Sequence, residues 1–281
     1  MFLQPFPHRK SWMLVLAFSL TFSGCESGQF RRLAGNVLVP VDTELRLGQQ
    51  FSQEVVKQQK VLAHEPTQAW VQAIGARVSE PARRARPEIT YHFTVLDEPN
   101  EVNAFAVPGG YIYVYSGLLL LASDEAEIAG VLAHETGHIV GRHSANQMAT
   151  SMGLDFLTSL ALGDNPGYLA QMVAGLGTGS ALLKYSRDDE YESDAYAVQY
   201  TREAGYDPGG IIRFFGKLRD LSARGEGLEF FRSHPLTQNR MDRVHYLIQN
   251  SGPYPFGERY EARMAERLAD LRAYYQSRPA R

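Results

Sequence analysis

His134, Glu135 and His138 stand in the pattern His-Glu-x-x-His, within Val131-Leu132-Ala133-His134-Glu135-Thr136-Gly137-His138. On a helix, at about 100° per residue, the two histidines lie about 40° apart on one face, one turn from each other. Two imidazoles at that separation can reach one divalent cation, and a carboxylate beside them can take a proton from a metal-bound water. The five-residue pattern also arises by chance, so the availability of a third ligand decides whether this chemistry is possible. The chain has one cysteine, which rules out Cys₂His₂ and Cys₄ zinc sites by count.

Candidates for the third ligand can be tested in turn. The metzincin pattern requires a histidine six residues after His138, where this chain has Ser144, although Gly141 stands where that pattern has a glycine. His143 misses by one place, and on a continuous helix it would point about 140° away from His138. It is therefore expected at a surface or supporting position. A glutamate about twenty residues on is another known solution, but those positions hold Leu157 and Thr158. The next acidic cluster is Asp188-Asp189-Glu190-Tyr191-Glu192-Ser193-Asp194. On a helix, Glu190, Asp194, Ala197, Val198 and Thr201 share a face that is otherwise apolar or small, and Glu192 lies about 200° from Glu190. Carboxylates on a buried face need a partner, and a metal with its imidazoles supplies one. Glu190 is the expected third ligand. Asp194, one turn later, can accept a hydrogen bond from the far nitrogen of a ligand histidine and fix its tautomer. Asp188 and Asp189 need no such explanation, because acids in a first turn suit the helix dipole.

These residues need elements to position them. Apolar spacing predicts helices over 42–60 and 67–78, and extended segments over 90–95, 104–107 and 111–115. The last two are joined by Pro108-Gly109-Gly110, a turn signal between β-rich runs. Asp124, with Glu127 three residues on, resembles a capping box opening one long helix to about Met148. Residues 152–183 are apolar and Gly-rich, but a break at 163–167 leaves neither half the about 18 residues a membrane span needs. That stretch is expected to cover the site or to pack as ordinary helices. A helix over 188–204 should end at Gly205, with Pro208 beyond. Helical patterns return at 209–222, 238–248 and 258–275. The expectation is an α+β fold, mainly helical, with a small mixed or antiparallel sheet beside the metal helix. Residues 42–281 form one domain in this reading.

The N-terminus reads as an export signal. Arg9 and Lys10 precede an apolar run over residues 12–20 that is too short to span a bilayer. Phe22-Ser23-Gly24-Cys25 resembles a bacterial lipobox, departing at Phe22, where that motif usually has Leu. Cleavage before Cys25 and lipidation of its thiol would leave residues 26–41 as a polar tether. The 281-residue chain is 44% hydrophobic and 21% charged, with a net charge of −3. No strongly basic block is present, which argues against nucleic acid as a partner.

His134-Glu135-x-x-His138 followed by Glu190-x-x-x-Asp194 resembles the M48 peptidases. So do Asn103-Ala104-Phe105-Ala106-x-Pro108-Gly109-Gly110 upstream, Arg187 before the ligand glutamate, and Ser233-His234-Pro235 downstream. The likeness implies a zincin-like fold, one zinc per chain, and hydrolysis of polypeptides with Glu135 as general base. It further implies that His234 donates to the developing oxyanion, or swings in as a fourth ligand to hold the enzyme latent. Arg187 is expected to support the ligands, and Asn103, Ala104, Phe105 and Ala106 to form an edge strand that pairs with substrate. The chain is most similar to exported, lipid-anchored bacterial members. That places it on the periplasmic side of the cell envelope, at the outer membrane, with misfolded or unassembled envelope proteins as substrates. Two other readings stay open at this point, a metal-stabilised binding or chaperone-like protein and a zinc aminopeptidase.

Overall fold

A computed structural model describes residues 39–176, 184–224, 230–252 and 257–278. The expected signal segment, Cys25 and most of the tether lie outside them. Helices α1 (Val41–Gln58) and α2 (Glu65–Ala85) lead into strands β1 (His92–Leu96), β2 (Ala104–Val107) and β3 (Tyr111–Tyr115). Then follow α3 (Ser116–Leu121), α4 (Glu125–Val140), α5 (His143–Met152), α6 (Leu154–Leu162) and α7 (Pro166–Leu176). The remainder is α8 (Arg187–Glu203), α9 (Gly210–Ala223), the single turn α10 (Phe230–Ser233), α11 (Gln238–Asn250) and α12 (Glu261–Gln276). The fold is α+β and mainly helical. No helix among the described residues is long and apolar enough to cross a membrane.

The sheet is mixed, in the order β1-β3-β2, with β1 parallel and β2 antiparallel to β3. Gly110 closes the β2–β3 connection at φ +101°, where an added Cβ would meet the Thr90 carbonyl oxygen at 2.2 Å, so no side chain fits. Alternation along the strands feeds two cores. Ala104, Ala106, Ile112 and Val114 face a core built with α2, α4, α8 and α9. Phe105, Val107, Tyr113 and Tyr115 face a second one, with α1 and α5–α7. Of residues 152–183, expected as a cover or as ordinary helices, 154–176 thus pack against α1 as part of that second core, and 177–183 lie outside the described residues.

Every residue of α4 is buried, so its polar ends must find partners inside the protein. Asp124 caps it by accepting the Glu127 N–H at 3.0 Å, while the Glu127 carboxylate accepts the Ser123 N–H at 2.9 Å. This is a capping box displaced by one residue from the usual reciprocal pair. Arg213 and Arg259 neutralise Asp124, Arg263 neutralises Glu125, and Lys217 neutralises Glu127.

One expectation is corrected at the other end of α4. The predicted helix to Met148 breaks after Val140, because Arg142 takes a left-handed conformation at φ 58°. The Arg142 guanidinium is turned into the protein, where it meets Glu44 at 2.7 Å and donates to the Val39 carbonyl. Arg86 completes the group, donating to Glu44 at 3.0 Å and to the Ile139 carbonyl at 3.1 Å. It thereby satisfies a C-terminal carbonyl of α4. Helix α2 also runs further than its periodicity predicts, to Ala85, carrying Pro81 on a buried face with Val78 and Ala82.

Asp97, at the end of β1, ties the last helix to the sheet. Its side chain is 1% exposed and receives Tyr275 Oη and Arg278 Nη1 at 2.9 Å, with Lys60 Nζ at 3.0 Å. Burial pushes its carboxyl up, but Arg278, Lys60 and Tyr275 outweigh this and hold it at about 2, below an ordinary 3.8. A depressed carboxyl contributes stability above its unfolded pKa and loses it as pH falls toward the folded one. Asp97→Asn is expected to cost about 2 kcal/mol at pH 7. The gap between variant and parent should close between about pH 4 and pH 2, followed by urea unfolding at stepped pH. A loss that stays constant across that window would show that the charge is not responsible.

Candidate metal centre

Three separate elements meet at the centre of the molecule. Helix α4 brings His134, Glu135 and His138, α8 brings Glu190 and Asp194, and the turn after α10 brings His234, all buried. His134 Nε2 and His138 Nε2 are 3.1 Å apart, with Glu190 Oε2 3.6 Å from the first and Glu190 Oε1 3.4 Å from the second. His234 Nδ1 stands 3.0 Å from Glu190 Oε1 and 3.4 Å from His134 Nε2. One atom from each of the four side chains lies within 4.8 Å of the others. Donors bound tetrahedrally at 2.0–2.1 Å from one cation are about 3.3 Å apart, so His134, His138 and Glu190 already have the spacing of such a set. The donor chemistry fits as well. Burial holds the His138 imidazole well below its ordinary pKa, leaving a neutral ring with a lone pair. Burial pushes Glu190 up, but His234, Arg240 and the two histidines outweigh it and keep the carboxylate ionised. Burial also lowers His134, yet Asp194 and Glu190 raise it to about 9. The proton they hold there is what a bound cation would displace.

The close approach of α4 and α8 depends on Gly137, midway between Glu135 and Ile139. A Cβ there would come within 3.0 Å of the Ser193 backbone and of the Tyr196 side chain. The α8 start is fixed by Ser186, whose hydroxyl accepts the Asp189 N–H while the Asp189 carboxylate accepts the Ser186 N–H. Glu190 and Asp194 then fall on the inward face with Ala197, Val198 and Thr201, all buried.

Both imidazoles of α4 are held from behind. His134 Nδ1 lies 3.1 Å from Asp194 Oδ1. His138 Nδ1 lies 2.9 Å from His143 Nδ1, and His143 Nε2 is 3.6 Å from Glu192 and 3.7 Å from Asp189. Carboxylates on the far side favour a proton on His143 Nε2, so its Nδ1 accepts from His138 and leaves the His138 Nε2 lone pair facing the centre. His143 therefore takes the supporting of its two expected positions. The break at Arg142 turns it inward, which the continuous-helix projection could not anticipate. Behind Glu190 and Asp194 stands Arg240. Its guanidinium donates to Asp194 at 2.9 and 2.7 Å, to the Pro235 carbonyl at 3.1 Å, and contacts Glu190. Arg187, expected in such a role, is exposed at the first turn of α8. Arg240 follows the N-cap Thr237 on α11, and no spacing rule links it to α8.

Glu135 has a different environment. Its Oε1 is 3.3 Å from His234 Nε2, and the Ala106 backbone faces the carboxylate. Burial raises its pKa, with His234 and His134 pulling it back. Tyr185 lies flat on His138, ring centroids 3.7 Å apart. Of the expected substrate segment, Ala104, Phe105 and Ala106 form the outer strand of the sheet, with Asn103 just before it.

The chain is similar to known proteins. The description "Peptidase family M48" matches residues 65–248. The mitochondrial metalloendopeptidase OMA1 of Schizosaccharomyces pombe is 28% identical over 212 residues, covering 73% of this chain and 61% of that protein. A beta-barrel assembly-enhancing protease of Escherichia coli is 26% identical over 218 residues, covering 74% of this chain and 44% of its own. The metalloprotease LoiP of Escherichia coli is 32% identical over 155 residues, covering 54% and 61% respectively. The matched chain spans less than two thirds of each of these relatives.

Arg240 gives the test of this geometry. Arg240→Met should leave two buried carboxylates without their counter-charge and cost about 3–5 kcal/mol in chelator-treated protein, read by urea unfolding. Arg240→Lys, which keeps the charge but loses the fork, should fall in between. A loss for Arg240→Met within about 0.5 kcal/mol of zero, the range of surface changes, would mean the clamp carries no stability.

Proposed function

The chain belongs to peptidase family M48, and from that premise we propose that it is a zinc-dependent endopeptidase. The observation that carries this reading is a fully buried carboxylate, Glu135, facing His234 Nε2 at 3.3 Å beside three donors that surround one point. A site that held metal only for stability would have no use for it, which weighs against the binding-protein reading.

In the proposed mechanism His134, His138 and Glu190 hold the metal and leave one coordination position open. Zinc, when bound, polarises the scissile carbonyl and lowers the pKa of water from about 15.7 toward 7. Glu135 takes the proton of the attacking water and passes it to the leaving amine. The raised affinity that burial gives this carboxyl for a proton suits both halves of that transfer. His234 donates an N–H to the oxygen that becomes negative. Asp194 and His143 keep the two imidazoles in the tautomer that presents Nε2 to the centre. Arg240 keeps Glu190 ionised and in place. The position of His234 among the donors supports a latent form in which it closes the set, its departure opening the site. An extended polypeptide pairs with β2 through main-chain hydrogen bonds, which gives affinity with little dependence on sequence.

The proposed setting is the bacterial envelope. The apolar leader and the lipobox-like Phe22-Ser23-Gly24-Cys25 support export, lipidation at Cys25 and a tether over residues 26–41 ahead of the peptidase domain. Misfolded or unassembled envelope proteins are the proposed substrates.

Glu135→Gln should lower casein digestion by at least about 100-fold while elemental analysis still finds one zinc per chain. Glu190→Ala should lose the zinc itself. Equal digestion by parent and Glu135→Gln would sink the endopeptidase reading, and products shortened only by the N-terminal residue would mean an aminopeptidase. In cells making the full chain, Cys25→Ser should abolish labelling by a radioactive fatty acid and release the protein from membranes. Undiminished labelling would refute the anchor.

A further inference from the structure

The outer edge of β2 is already partly occupied. The Tyr115 N–H donates to the Asn103 carbonyl at 2.9 Å. In the observed register, Phe105 and Val107 therefore also turn their main-chain groups toward β3, and Ala104 and Ala106 turn theirs outward. An edge strand normally leaves such groups free to pair with another chain. Here three side chains take two of them, the Ala104 N–H and the Ala106 carbonyl. Asn103 Oδ1 accepts the Ala104 N–H at 2.9 Å. Ser144 Oγ donates to the Ala106 carbonyl at 3.3 Å, and Tyr185 Oη lies 3.5 Å from the same oxygen and 2.9 Å from Ser144 Oγ. All three residues are buried.

Tyr185 connects this edge to the metal centre. Its ring covers His138, and its backbone N–H donates to the Ser233 carbonyl at 3.2 Å, directly before His234. Ser144 follows His143, the residue that orients His138. Two of the three side chains on the strand edge, Ser144 and Tyr185, therefore belong to the same short segments that set the donors.

We propose that Asn103, Ser144 and Tyr185 are stand-ins for a substrate strand. They satisfy the Ala104 N–H and the Ala106 carbonyl until a polypeptide displaces them, and so set how tightly substrate binds. This rests on the reading of β2 as the substrate strand of an endopeptidase. The sign follows from the buried acceptor. With the hydroxyls removed, the Ala106 carbonyl has no donor in the free protein, and an incoming N–H becomes worth more.

The test uses the full chain carrying Ser144→Ala, Tyr185→Phe or both, the phenylalanine keeping the ring on His138. With casein as substrate, KM should fall about five-fold in the double variant (about 1 kcal/mol), with kcat moving far less. The same substitutions in a Glu135→Gln background should tighten the binding of fluorescein-labelled casein by a similar factor, a readout that needs no turnover. A purely structural role would instead lower the melting temperature and leave KM unchanged or raise it, and that result overturns the proposal. If the double variant does not fold, the single Tyr185→Phe decides, by whether its KM falls. If the parent protein digests and binds no casein at all, the endopeptidase reading fails first and this inference with it.

Discussion

Glu190 and Asp194 are ionisable groups with almost no contact with water, and a protein interior cannot hold two such carboxylates without cations close by. The histidines of α4 on one side and Arg240 on the other meet that requirement. Three remote parts of the chain are thereby drawn to one point. The requirement also explains the burial of α4, whose every residue is enclosed and whose acidic start is clasped by Arg213, Arg259, Arg263 and Lys217. A polar centre of this kind survives only inside a frame that satisfies each group, so the frame and the centre have to be read together.

Distances in the frame come from small residues as much as from charges. Gly137 lets the backbones of α4 and α8 approach until the Glu190 carboxylate lies within 3.4–3.6 Å of both imidazoles. A methyl group at that position would push α8 outward, and Glu190 with it. The mixed sheet serves the same purpose from the other side. β3 runs between its two neighbours, leaving β2 at the border beside α4.

Local periodicity made part of this centre legible in advance. His134 and His138 are one helical turn apart, and Glu190 and Asp194 repeat that interval on an apolar face, so each pair can be recognised without knowing the fold. The chain order of helices and strands was legible for the same reason. Non-local features were not. Arg240 belongs to a different helix, and its only link to Asp194 is spatial. His143 could be placed only after Arg142 was seen to leave the helix, and Arg142 does so because Glu44 and the Val39 carbonyl hold it from nearly 100 residues away in sequence. The parallel pairing of β1 likewise depends on the route between strands rather than on the composition of any one of them. Tyr185 carries no spacing signal toward His138 and lies two residues before α8, where a sequence reading has no reason to seek a ring.

The bond from Arg142 to the Val39 carbonyl also has a mechanical meaning. The carbonyl of Val39, two residues ahead of α1, is gripped by the residue two places beyond the end of the helix that bears both histidines. Tension arriving from upstream is therefore shared among Arg142, Glu44 and Arg86, and Arg86 in turn grips the Ile139 carbonyl in the last turn of α4. The start of α1 and the helix that bears both histidines are moored to the same cleat. A tug at one is met by the foundation of the other.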